Sequence, residues 1–216
     1  MKNNTRTLTL TAMLGAMAYL LMLVGRIPVV LFLSYDPKDA IIAIGGFLLG
    51  PMPAVTISLV VSFVEMLSAS ATGPIGFVMN VLSTCAFVLP AAILYRKKRT
   101  LGSAATGLAL GVVCATVAML AWNYLITPLY MGVPRSAVAE MLVPVFLPFN
   151  LIKGTLNAAF AMLIYKPVSR TLRRAHLLPA KESAAGGAKP YQWMPAVVSV
   201  ILIIVAAVCF YLLANG

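Results

Sequence analysis

The chain has 216 residues, of which 62% are hydrophobic and only 10% charged, an apolar share far above that of an ordinary soluble domain. Its formal net charge of +11 does not point to nucleic acid, because the cations cluster beside apolar stretches. Lys2 and Arg6 precede the first, YRKKRT (95–100) follows the fourth and KPVSRTLRRAH (166–176) follows the sixth.

A membrane-spanning helix needs about 20 mostly apolar residues, and six such stretches occupy residues 8–168, with another at 196–214. Strand-like alternation of the kind a transmembrane barrel requires is lacking. The expected fold is therefore an all-α integral membrane protein. If each stretch crosses once, the three basic clusters fall on one side of the bilayer. That is the positive-inside pattern, with a cytoplasmic N-terminus and a C-terminus outside.

In chain order, the first span is expected over 8–24. It is longer than a secretory apolar core and has no A-x-A site after it, so it reads as retained. GRIPVVLFLSYDPKDA (25–40) reads as an ordered outer loop, in which Asp36 before Pro37 suits a helix N-cap. The second span, IIAIGGFLLG (41–50), is short for a crossing, and GPMP (50–53) is a tight inner turn. The third span covers roughly 54–68 and SASATGPIG (68–76) turns outside. The fourth ends at RKKR, the fifth occupies 102–127, PLYMGVPRSAVAE (128–140) is an outer loop and the sixth ends near 166. The domain reading is a six-span core over 1–178, a polar linker over 179–195 and a seventh helix within 196–216.

Small residues recur at helical spacing in two spans. Gly107, Gly111 and Ala115 on the fifth are expected to serve internal packing, where close backbone approach needs small side chains. Ala12 and Ala16, with Gly15 beside them on the first, suit either internal packing or a partner helix. Cys85, Cys114 and Cys209 fall within apolar spans without paired spacing and read as small buried hydrophobes.

The sixth span opens with PFNLIKGTLNAAF (148–160). At 100° per residue, Asn150, Lys153 and Asn157 lie within an arc of about 60°. A lysine near a membrane helix centre costs about 2.5–3.5 kcal/mol, less toward the ends. Lys153 could snorkel outward, pair with Glu65 near the outer end of the third span, or line a pocket open to the outside with the two amides. Asn123 on the fifth span, between Trp122 and Tyr124, supports the pocket. Amides flanked by flat rings suit a ligand with an aromatic ring and polar edges, although aromatics at that depth also form interfacial belts. Asp36 and Asp39 alone do not make a metal site. No phosphate loop, HExxH or GxSxG motif is present, and the single histidine, His176, falls in the basic cluster.

YDPKDAIIAIGGFLLGP (35–51), TGPIGFVMNVLS (72–83), YRKKRT, WNYLITPLY (122–130) and FNLIKGTLN (149–157) together resemble the substrate-binding S component of energy-coupling factor vitamin transporters, in particular its riboflavin-specific branch. The resemblance covers residues 8–170. It implies a six-helix protein of the bacterial cytoplasmic membrane, with no enzyme activity and no cofactor. Its transported ligand would be riboflavin, and its partners a transmembrane scaffold subunit and two ABC-type ATPases. It also implies that Asn123, Asn150 and Lys153 contact the ligand and that the Ala12–Ala16 face docks on the scaffold. Trp122, Tyr124, Asn157 and Glu65 join the candidate ligand-binding set. Other vitamins or precursors (thiamine, biotin, a deazapurine), a membrane enzyme using Lys153 and Glu65 as acid and base, and a ligand-free scaffold are the alternatives. Glu65 and the seventh span depart from the usual pattern of that family.

Overall fold

A computed structural model describes residues 2–69 and 72–175. The linker expected at 179–195 and the seventh helix lie outside the described residues. The elements are α1 (Lys2–Gly25), β1 (Ile27–Val30), β2 (Leu33–Tyr35), α2 (Lys38–Leu49), α3 (Pro51–Ser68), α4 (Gly73–Lys98), α5 (Leu101–Met131), α6 (Arg135–Met141), a π-helical turn (Leu142–Phe146) and α7 (Leu147–Arg174). Among the described residues, five helical stretches are long and apolar enough to cross a membrane: Thr5–Gly25, Pro51–Ser68, Gly73–Lys98, Leu101–Met131 and Arg135–Leu172.

α2 is the exception. Its 12 residues span only about 18 Å, short of the ~30 Å hydrocarbon core, and residues 38–47 along it are all buried. It packs against α1, α3, α4 and α7, so a helix too short to span the bilayer is the centre of the bundle. The second span predicted at 41–50 is thus an enclosed core helix beginning three residues earlier. Leu14, Ala18, Ile57, Val88 and Ala91 join Ile42 of α2 in one apolar core.

The segment before it, predicted as an outer loop, is a two-stranded antiparallel hairpin pairing Ile27 with Tyr35 and Val30 with Leu33. Leu31 in its turn adopts φ 52°, a left-handed conformation normally left to Gly or Asn. That is why no hairpin signature was visible in the sequence. Asp36 is not an N-cap: Pro37 holds that position and no side chain caps α2.

Tight reversals keep successive helices side by side. Gly50 (φ 104°) joins α2 to α3, and Arg99 in the left-handed region ends α4. Thr100 and Ser103 then start α5 with a reciprocal capping box. The small face of α5 lies on α4 as expected: a Cβ on Gly111 would come 2.1 Å from the Phe87 carbonyl oxygen, and one on Gly107 2.8 Å from the Ala91 Cα. On α1 the small residues divide. Gly15 is buried and faces Ile57 and Val61 of α3, whereas Ala12 and Ala16 are exposed on another face. α7 begins at Leu147, after a π-helical turn that contains Pro144 and ends before Pro148. Prolines donate no N–H, and the wider turn accommodates them.

Candidate ligand-binding site

At the end of the bundle that carries the hairpin lies a cavity of about 250 Å³. The hairpin supplies Leu31, Phe32, Leu33 and Ser34; α4 supplies Met79, Asn80 and Ser83; α5 supplies Met119, Asn123 and Tyr130; and α7 supplies Phe149, Asn150 and Lys153. Arg26, Asp36 and Glu65 complete the polar wall. Exposed Leu31 and Tyr130 mark its mouth. The mixture of aromatic and aliphatic surface with a few fixed polar groups is that of a small-molecule site.

The amides are set by their own helices. Asn123 Nδ2 donates to the Met119 carbonyl at 2.7 Å and its Oδ1 accepts from Thr127 Oγ1 at 2.8 Å. Asn150 Nδ2 donates to the Phe146 carbonyl at 2.7 Å. Asn123 is thus held through both its nitrogen and its oxygen and Asn150 through its nitrogen, which blocks rotation, and the remaining N–H of each amide and the remaining acceptor capacity of their oxygens can serve the cavity.

Lys153 does not pair with Glu65. Its Nζ donates to Asp36 Oδ2 at 3.5 Å, and Glu65 is instead held by Lys38 and by Arg26 Nη1, the latter at 3.4 Å. Lys38 Nζ also lies 3.7 Å from Asp36 Oδ1. Burial alone would push the Asp36 carboxyl up, but Lys153, Lys38 and Arg26 around it hold it below the usual carboxylate range. Asp39, the other acid of the first loop, is buried and accepts from Thr84 Oγ1 at 2.7 Å. Among the described residues no cluster of three or more His, Cys, Asp or Glu side chains could hold a metal ion.

Of the sequence candidates, Asn123, Asn150, Lys153 and Glu65 therefore meet in one cavity. The others lie elsewhere. Asn157, one turn deeper on the α7 stripe, is 1% exposed and donates to the Asp36 carbonyl at 3.3 Å, fixing the loop rather than lining the cavity. Tyr124 is 42% exposed and lines neither the cavity nor its neighbouring recess. Trp122 lines a small neighbouring recess that shares Phe32, Thr72, Met79 and Tyr130 with the main cavity. Sequence reasoning missed Arg26, Asp36, Asn80 and Ser83. Asn80 carried the same signal as Asn123, a lone amide inside an apolar span. The charged pair was hidden by its position in what read as a loop.

The family model described as "ECF transporter, substrate-specific component" matches residues 6–165. The chain is 30% identical over 188 residues to the riboflavin transporter FmnP of Bacillus subtilis, covering 80% of this chain and 98% of that protein. It is 28% identical over 183 residues to the riboflavin transporter RibU of Staphylococcus aureus, covering 81% and 95%. A solved structure described as the S component of a bacterial ECF transporter superposes with a TM-score of 0.67 at 28% identity, covering 80% of this chain and 99% of that one. These relatives are transporters or transporter components, not enzymes. In agreement, Lys153 and Glu65 face different partners and do not form an acid–base pair.

Proposed function

We propose that this chain, which belongs to the ECF transporter substrate-specific components, captures riboflavin from outside the cell and delivers it through an ATP-driven partner module. The observation that carries the reading is the cavity itself. Two amides locked by their own helices and a lysine on a loose 3.5 Å contact face apolar and aromatic walls in the stretch shared with riboflavin transporters. Asn123, Asn150 and Lys153 would bind the polyhydroxyl chain and ring edge, while Phe32, Met79, Met119 and Phe149 enclose the ring system.

The orientation follows from charge. Arg96, Lys97, Lys98, Arg99, Arg170 and Arg174 are exposed at the end opposite the cavity, and the positive-inside rule supports a reading with that end and the N-terminus in the cytoplasm and the mouth outside. The stretch Arg135–Leu172 crosses as one unit and α2 counts as the short member of a six-helix core. Exposed Ala12 and Ala16 form the face that docks on a scaffold subunit, itself driven by two ATPases.

The test is a titration. Protein purified in detergent from cells supplied with riboflavin should be yellow, and added riboflavin should quench Trp122, which lies beside the cavity. Trp193→Phe removes the background of the second tryptophan. A colourless preparation with no quenching defeats the riboflavin reading. Leucine at both Ala12 and Ala16 should leave this titration unchanged and abolish co-purification with the energising module, because two isobutyl groups hold a partner helix away. Continued assembly would remove that face as the docking surface.

A further inference from the structure

We propose that Lys38 is a positioning residue: buried behind the cavity wall, it supplies Asp36 with a second counter-charge, so that Lys153 can turn to a ligand without stranding a buried carboxylate. The inference rests on the riboflavin reading for the identity of that ligand.

Lys38 is 0% exposed and is not among the residues lining the cavity, yet it touches both carboxylates that do. Its Nζ donates to Glu65 Oε2 and lies 3.7 Å from Asp36 Oδ1. At the two ends of this row, Arg26 lies 3.4 Å from Glu65 Oε1 and Lys153 lies 3.5 Å from Asp36 Oδ2. Charges thus alternate through Arg26, Glu65, Lys38, Asp36 and Lys153. The end side chains keep 29% and 12% of their surface, against 1% for Lys38. The remaining groups facing the row are Asp39, tied to Thr84, and the Tyr35 phenol. With Asp39 counted, three cations meet three carboxylates.

The arrangement settles what happens when Lys153 moves. An amine that donates to a ligand must weaken its contact with Asp36. A desolvated carboxylate left with no cation is strongly unfavourable, and that penalty would be subtracted from the ligand's affinity. Here Asp36 retains Lys38 on its other oxygen, while Asn157 holds its backbone carbonyl at 3.3 Å. Lys153 is therefore the cation free to move, and Lys38 is the one fixed in place.

The experiment is Lys38→Met in the full chain, with ligand-free melting and riboflavin titration from pH 5.5 to 8.5. In the parent, Asp36 stays ionised in both free and bound states, and the Kd should be flat. In the variant, binding leaves Asp36 uncovered, so it must take up a proton. At pH 8 the Kd should be raised at least tenfold and should fall back toward the parent value in acid, the slope of log Kd against pH approaching one. Without ligand, Lys38→Met combined with Lys153→Met leaves Asp36 neither amine and should melt at higher temperature as the pH falls, whereas Lys153→Met alone, which keeps Lys38 on Asp36, should not. If Lys38→Met does not fold, Lys38→Met with Glu65→Leu carries the same expectation for Asp36. Parent-like affinity, a loss independent of pH, or failure of both variants to fold overturns the proposal. A parent that binds no riboflavin defeats the riboflavin reading instead. In that case the ligand-free melting profiles decide on Lys38, and a double variant whose profile is as flat as that of Lys153→Met overturns its role.

Discussion

The two ends of the bundle treat charge in opposite ways. At the hairpin end, Arg26, Lys38 and Lys153 each have a carboxylate partner, and all four acidic residues among those described, Asp36, Asp39, Glu65 and Glu140, belong to this end. At the other end, Arg96, Lys97, Lys98, Arg99, Arg170 and Arg174 are exposed and no described acid accompanies them. A cation that water or lipid headgroups can reach needs no fixed partner; one removed from water does. Number and sign of charge therefore report which way the chain lies in a membrane, and pairing of charge reports where a site has been built.

The contrast is broken most severely at Glu65, which answers two cations at once. Glu65→Leu leaves Lys38 with Asp36 alone and takes from Arg26 the carboxylate it pairs with. Removing one member of a buried pair costs about 3–5 kcal/mol, so melting in detergent should fall by roughly 6–20 °C for a chain of this size. Combining it with Lys38→Met should recover part of that loss, because replacing both members of a buried pair by apolar groups is far less harmful than orphaning one. A single variant that melts like the parent would mean that the row of charges contributes nothing to the fold.

Lys153→Met tests the same end for function rather than stability. Asp36 keeps Lys38, so the fold should lose less than in Glu65→Leu. A hydrogen bond from a charged donor contributes about 1.5–3 kcal/mol, and the riboflavin Kd should rise roughly tenfold to a hundredfold. A Lys153→Met protein that melts early and binds normally would make this lysine a structural element.

How much of this was legible in the sequence depended on the range of the interaction. The membrane class, the helices α3 to α5 and the packing role of Gly107, Gly111 and Ala115 follow from local composition and spacing, and the structure agrees. The polar stripe of Asn150 and Lys153, and Asn123 apart from it, stood out because amides and amines are rare inside apolar spans. The partner of Lys153 did not. Asp36 is 117 residues away, and helical periodicity fixes which face a residue occupies but not which residue on another element meets it. Asn157 shows the same limit: it shares the stripe, yet one turn more of depth takes it to the Asp36 backbone and out of the cavity. The hairpin was hidden because Leu31 holds a conformation that its residue type does not advertise, and α2 because a core helix wrapped on all sides need not be long enough to span the bilayer.

The smallest effect belongs to the exposed end. Lys97→Gln with Lys98→Gln removes two cations from the end of α4, where both are exposed. Solvated charges there compete with water and salt rather than with a fixed carboxylate, so melting should stay within about 1 °C of the parent and the riboflavin Kd should not change. Favourable interaction of the last-turn cations with the helix C-terminus works in the other direction, but it is screened by salt, and Arg96 and Arg99 remain to supply it. What the double variant should alter is orientation bias, since these residues carry part of the positive-inside signal. With four other exposed cations at this end, the protein should still insert one way, as read by a tag placed at the N-terminus. A loss of stability as large as that of Glu65→Leu would show that these lysines have partners after all, and the contrast between the two ends would fail.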